Sequence, residues 1–128
     1  MKHQSTRSPL ARAIGLGSAR SGVEHWWAER VSAVALVPLT LWLITSLIAH
    51  SQSDYARFLS WMHNPGSVTA IILLLIALFH HTALGLQVII EDYVHSGLKF
   101  AAIAAVRLGC IALAVAGVIS VLKIALAD

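Results

Sequence analysis

A single cysteine, Cys110, in 128 residues excludes an internal disulfide and excludes the cysteine sets that hold iron–sulfur clusters. It reads as a small packing residue. Charge is equally scarce: Asp, Glu, Lys and Arg make up 12% of the chain against 58% apolar residues, and the mean hydropathy is +0.78. Soluble domains carry about a quarter charged residues, so this chain is expected to be one integral membrane unit. No internal repeat, heptad or low-complexity tract is present. Residues 1–23 are basic, serine-bearing and free of acids, as in a transit peptide, but they have no apolar core with a cleavage site, so an uncleaved tail is expected. The net charge of +3 does not imply nucleic acid, because the basic residues collect before the first apolar run instead of forming a stripe with interleaved aromatics.

What is present is three long apolar runs, at about 31–49, 68–90 and 98–126. The expected fold is therefore an all-α integral membrane protein of three transmembrane helices, with a tail at 1–22 and a membrane anchor domain at 23–128. The third run is the least clean, since Lys99, Arg107 and Lys123 punctuate it; the two lysines can snorkel from its ends, and Arg107, deeper, is expected to snorkel toward the cytoplasmic leaflet. Between the first two runs, Ser51 to Ser67 reads as a short interfacial segment followed by a turn at Asn64-Pro65-Gly66. Glu91 to Gly97 is a tight connection. Lys2, Arg7, Arg12, Arg20 and Arg30 precede the first run and the loop after it has Arg57 alone, which is expected to place the amino terminus in the cytoplasm of a bacterial inner membrane, or in the matrix of a mitochondrial one.

The most informative stretch is HHTALGLQVIIEDY, His80 to Tyr93, which joins a histidine pair to the end of an apolar run. Ionisable groups there are costly and are usually functional. On a helix His81 and Gly85 are one turn apart, and Asp92 returns to within roughly 20° of the same direction. His81 would then lie near mid-membrane, and Asp92 and Tyr93 would reach the interface roughly 16 Å away. A side-chain-free Gly85 opens a flat space that a porphyrin needs if His81 donates to its iron. An interhelical hydrogen bond for His81 and close helix packing at Gly85 are the alternatives. His80 points about 100° away and is a second potential ligand if the helix is distorted.

At the interface, Asp92 and Tyr93 are either a helix end with a belt aromatic, or a phenol donor beside a carboxylate, the equipment for reducing a quinone carbonyl. Ahead of the first run, Glu24-His25-Trp26-Trp27-Ala28-Glu29-Arg30 gathers charge and indole at the headgroup level. Arg30, the last charge before the apolar run, can hold a carboxylate such as a haem propionate, or snorkel to lipid phosphate.

Together, HWWAERVSAVALVPLTLW in the first helix and HTALGLQVIIEDYVH at the end of the second resemble the small hydrophobic membrane anchor of succinate dehydrogenase, respiratory complex II, in its alphaproteobacterial and mitochondrial style. The most specific part is H-x-x-x-G-x-x-x-x-x-x-D-Y, matched by His81, Gly85, Asp92 and Tyr93, and the resemblance spans roughly Gly22 to Leu126. It implies a non-autonomous subunit of a succinate:ubiquinone oxidoreductase. FAD and the iron–sulfur clusters would reside in a flavoprotein and an iron–sulfur partner subunit. A second anchor, the cytochrome b subunit, would complete a heteromeric helical bundle and share a b-type haem. His81 would be one axial haem ligand, Gly85 would pack on the haem, and Arg30 would lie near the propionates or the quinone. Tyr93 would hydrogen-bond a ubiquinone carbonyl and Asp92 would support that site's network. The alternatives are the anchor of a quinol:fumarate reductase and a non-redox three-helix module whose histidines bridge helices and whose tail binds anionic lipid.

Overall fold

The computed structural model describes residues 19–127; Lys2, Arg7 and Arg12 of the expected tail, and Asp128, lie outside the described residues. The described residues form four helices, α1 (Ala19–His50), α2 (Tyr55–His63), α3 (Pro65–Tyr93) and α4 (Leu98–Ala125), and no strand. Three of them are long and apolar enough to cross a membrane. With 32, 29 and 28 residues, α1, α3 and α4 are each about 42–48 Å long, more than the roughly 30 Å hydrocarbon layer, so their ends reach the headgroups.

All three expected spans are found, with shifted ends. The helix around the first span starts about twelve residues earlier than the apolar run, because adding turns to an existing helix costs far less than nucleating one. Pro38 lies inside α1 without ending it. In lipid one lost hydrogen bond is cheaper than an unwound backbone whose polar groups find no water.

The expected turn at Asn64-Pro65-Gly66 is a helix start instead. Asn64 ends α2 with its backbone N–H on the Trp61 carbonyl, and its Oδ1 accepts from Gly66 N at 2.8 Å and Ser67 N at 3.4 Å, capping α3. Pro65 follows in the first turn, where its missing N–H costs nothing. Asn, Pro and Gly serve a turn and a helix start alike, which is why the local signal reads both ways. Likewise, Glu91, Asp92 and Tyr93 belong to the last turn of α3, and only Val94–Gly97 connects it to α4.

Helix α2 is the expected interfacial segment. Asp54 Oδ1 caps it by accepting from Arg57 N at 2.9 Å. Its Trp61 stacks 6.2 Å from Trp42 and lies 5.2 Å from His50, while His63 Nε2 donates to the Ile124 carbonyl at 3.0 Å. The histidine contact satisfies a carbonyl at the α4 terminus and so closes that end of the molecule.

At the centre, α3 packs against α1 on one side and α4 on the other. The α3–α4 approach is close at Gly117, where a Cβ would meet Leu75 Cδ1 at 3.1 Å. Little else is enclosed: among the described residues, only Ser32, Met62, Ser67, Leu74, Leu84, Cys110 and Val121 are buried. Such an open arrangement of apolar helices needs lipid and partner helices to cover it. A Gly117→Leu substitution is expected to overpack against Leu75 and lower stability in detergent by about 1–3 kcal/mol, measured by denaturant titration in micelles. An unchanged midpoint would show that α3 and α4 do not meet closely there.

Candidate functional site

Helix α3 runs unbroken through Tyr93, so its two histidines serve different faces. His81 turns to α1, where its Nδ1 lies 3.0 Å from Ser32 Oγ. His80 instead lines a groove of about 490 Å³ between α3 and α4, with Phe79, Ala83, Arg107 and Cys110. Without a helix distortion the two imidazoles do not exchange roles.

The Ser32–His81 contact fixes the depth of α1 against α3. Ser32 is only 6% exposed, and its Oγ also donates to the Glu29 carbonyl at 2.8 Å. Gly85, one turn along from His81, has nothing within 4 Å of where its Cβ would stand. Among the described residues no helix packs onto that glycine, so the open space expected beside the imidazole is there. Asp92 and Tyr93 follow on the unbroken helix, both exposed, Tyr93 by 81%. Roughly 16–18 Å of helix axis separates them from His81.

Arg30 is placed differently from a residue meant to touch His81. Two positions before Ser32, it leaves α1 about 200° away, on the outward face, while staying within about 3 Å of the same depth. Its Cζ lies 5.1 Å from the Trp26 ring centroid, a cation–π contact. The structure therefore brings His81 and Gly85 together, carries Asp92 and Tyr93 to the end of the same helix, and leaves Arg30 exposed at the depth of His81.

Two participants were not singled out by the sequence reading. Ser32 is one hydroxyl among several in the apolar runs, and nothing local marks it. His25 lies seven positions earlier, within roughly 20° of the direction of Ser32, and its Nε2 is buried with no hydrogen-bond partner among the described residues. An unpaired buried polar atom costs about 1–3 kcal/mol, so this nitrogen calls for a polar partner beyond the described residues. Its spacing to Ser32 was readable as a helical repeat of seven, but its burial was not.

The other polar cluster lies across α3. Arg107 donates from Nη2 and Nε to Gln87 Oε1 at 2.6 and 3.1 Å, and Gln87 Nε2 donates to Glu91 Oε1 at 2.7 Å. Lys99 Nζ reaches the Glu91 carbonyl at 3.4 Å. Arg107, expected to snorkel toward the cytoplasmic leaflet, finds a partner on the way, a side chain of the neighbouring helix. Inside lipid a near partner outcompetes a distant one.

Chemically, no group of three or more His, Cys, Asp or Glu among the described residues could cage a bare metal ion. A porphyrin iron asks for less: one imidazole on each side and a flat wall. His81 with Gly85 meets that requirement from one side, and the orphaned His25 Nε2 and exposed Arg30 are polar groups suited to the edge of an anionic ring system.

A family model described as the succinate dehydrogenase/fumarate reductase transmembrane subunit matches residues 4–122. The chain belongs to that family. Its similarity to the succinate dehydrogenase hydrophobic membrane anchor subunit of Rickettsia bellii is 34% identity, over 90% of this chain and 93% of the relative. The subunit so named from Paracoccus denitrificans is 35% identical, covering 75% and 74% of the two chains. The succinate dehydrogenase membrane anchor subunit of Reclinomonas americana is 38% identical over 59% of this chain and 66% of its own. No solved structure matches at a significant level. Membership of the succinate dehydrogenase/fumarate reductase family makes this chain a multi-pass transmembrane subunit of an enzyme complex.

The Arg107–Gln87 contact is directly testable in that setting. A double-mutant cycle combining Arg107→Ala and Gln87→Ala is expected to return a coupling of about 0.6–1.7 kcal/mol in micelle unfolding, the range for interhelical polar contacts in membranes. Additive effects would mean that the two side chains do not meet.

Proposed function

We propose that the chain is the membrane anchor of a succinate:ubiquinone oxidoreductase, donating one axial ligand to a b-type haem and one wall of the quinone site. The observation that carries this reading is the His81–Gly85 pair: an imidazole engaged through Nδ1, beside an open glycine, on the face of the central helix turned to α1. The names of the relatives favour succinate dehydrogenase over fumarate reductase.

In this reading His81 Nε2 would hold the iron and Gly85 would leave room for the ring. A haem held there, with a second imidazole from the cytochrome b subunit, would supply electron storage. Arg30 lies at nearly the depth of His81, so the two cannot stand apart as headgroup-level and mid-membrane residues as the sequence suggested, and a propionate or the quinone headgroup is suited to its charge. At the other end of α3 the Tyr93 phenol donates a hydrogen bond to a quinone carbonyl, and Asp92 beside it orients water or relays protons. Quinone is lipid-soluble yet takes up protons, so a site at the boundary of the bilayer gives access to both. Succinate oxidation, FAD and the iron–sulfur clusters belong to a flavoprotein and an iron–sulfur subunit, with which this chain assembles. The basic residues before the first span put the amino terminus in the cytoplasm of a bacterial inner membrane.

In the assembled complex His81→Ala is expected to alter or remove the low-spin haem spectrum; an unchanged spectrum moves the ligand elsewhere. Tyr93→Phe is expected to keep the haem spectrum and succinate oxidation by artificial acceptors while slowing ubiquinone reduction about tenfold, the kinetic equivalent of roughly 1.4 kcal/mol for one hydrogen bond. Wild-type quinone turnover would remove Tyr93 from the site. Purification in mild detergent should bring down a flavoprotein and an iron–sulfur protein, and their absence would favour a non-redox helical module.

A further inference from the structure

Ser32 is the least exposed of the buried residues described, at 6%, on a helix most of whose large apolar side chains face outward. A polar side chain enclosed in this way, in a chain that encloses little else, has a hydrogen-bonding role to satisfy. Its oxygen has two neighbours, the Glu29 carbonyl at 2.8 Å and His81 Nδ1 at 3.0 Å.

A hydroxyl carries one proton. The carbonyl can only accept, so at 2.8 Å the serine proton must point to it; otherwise two oxygen acceptors would face each other without a proton between them. With that proton committed, the contact to His81 is bonded only if Nδ1 carries the hydrogen and Ser32 Oγ accepts it. In the neutral ring this assignment leaves Nε2 as the one nitrogen with a free lone pair. Metal-bound histidines in proteins are held in this way: the second ring nitrogen donates to a neighbour, which fixes tautomer and orientation and makes the ligating nitrogen more basic.

We infer that Ser32 is the positioning residue for the His81 ligand, the acceptor that holds the ring as its Nδ1–H tautomer and directs Nε2 to the haem iron. The inference rests on the axial-ligand reading above. It also explains why the relay ends on the Glu29 carbonyl, in the helix turn between Arg30 and Trp26: the rotation and height of α1, and with them the outward setting of Arg30, are coupled to the orientation of the ring. A serine that merely glued α1 to α3 would make the same two contacts, so the distinguishing property is electronic. An acceptor on Nδ1 strengthens donation from Nε2 and favours ferric over ferrous iron.

The test uses the complex purified through its flavoprotein partner, with haem content, the low-spin electron paramagnetic resonance signal and the haem midpoint potential as readouts. Ser32→Ala is expected to move the potential in the positive direction and to weaken haem retention in detergent by about 10- to 100-fold. Ser32→Thr, whose hydroxyl can make the same bond to a carbonyl one turn back, is expected to restore both. If Ser32→Ala does not assemble, Ser32→Cys, similar in size but a weak acceptor, is expected to move the potential in the same direction. Wild-type potential and haem retention in the alanine or cysteine variant, with His81→Ala still abolishing the low-spin signal, overturns the role of Ser32 and leaves the ligand assignment standing. An unaltered spectrum in His81→Ala overturns both.

Discussion

Hydrocarbon offers no hydrogen bonds, and every polar group in this chain that enters the bilayer has to be answered by protein. Four helices meet that demand for most of the backbone, and several side chains answer it as well. Thr45, Ser120 and Ser51 donate back to carbonyls of their own helix, and His50 Nδ1 does so to Ser46. Arg107 takes Gln87, and His63 takes the last turn of α4. Against this background an unsatisfied atom is informative, which is why His25 Nε2 stands out.

The central helix separates two kinds of polar chemistry that adjacent residues would otherwise mix. His81 faces α1, where a serine engages one nitrogen and a glycine keeps the neighbouring space open. His80, about 100° around, faces the α4 side with Arg107. Because the helix is continuous, this division is rigid: rotating α3 enough to present His80 to α1 would also break the close contact of Leu75 with Gly117. Packing at Leu75 thereby fixes which of the two histidines faces α1.

Sparse burial has a functional counterpart. A chain whose spans hide little against one another has its faces available to lipid and to other chains, and membership of a family of transmembrane subunits of an enzyme complex accords with that exposure. Arg30 and Tyr93, proposed to meet a cofactor or quinone, are exposed in the single chain.

Composition and periodicity were sufficient for the class of fold, the three membrane helices and the stripe through His81, Gly85 and Asp92, since each depends only on hydropathy and on 3.6 residues per turn, which are local properties. The family was legible separately, through the resemblance of two stretches, HWWAERVSAVALVPLTLW and HTALGLQVIIEDYVH, to its members. Helix ends were less legible: Asn64-Pro65-Gly66 satisfies the chemistry of a turn and of a helix start, and only the backbone that follows distinguishes them. What only the tertiary structure decided is which residues face each other across helices. Ser32 reaches His81 over 49 positions and Arg107 reaches Gln87 over 20. Such pairings are set by the depth and rotation at which whole helices pack, quantities that no local pattern encodes.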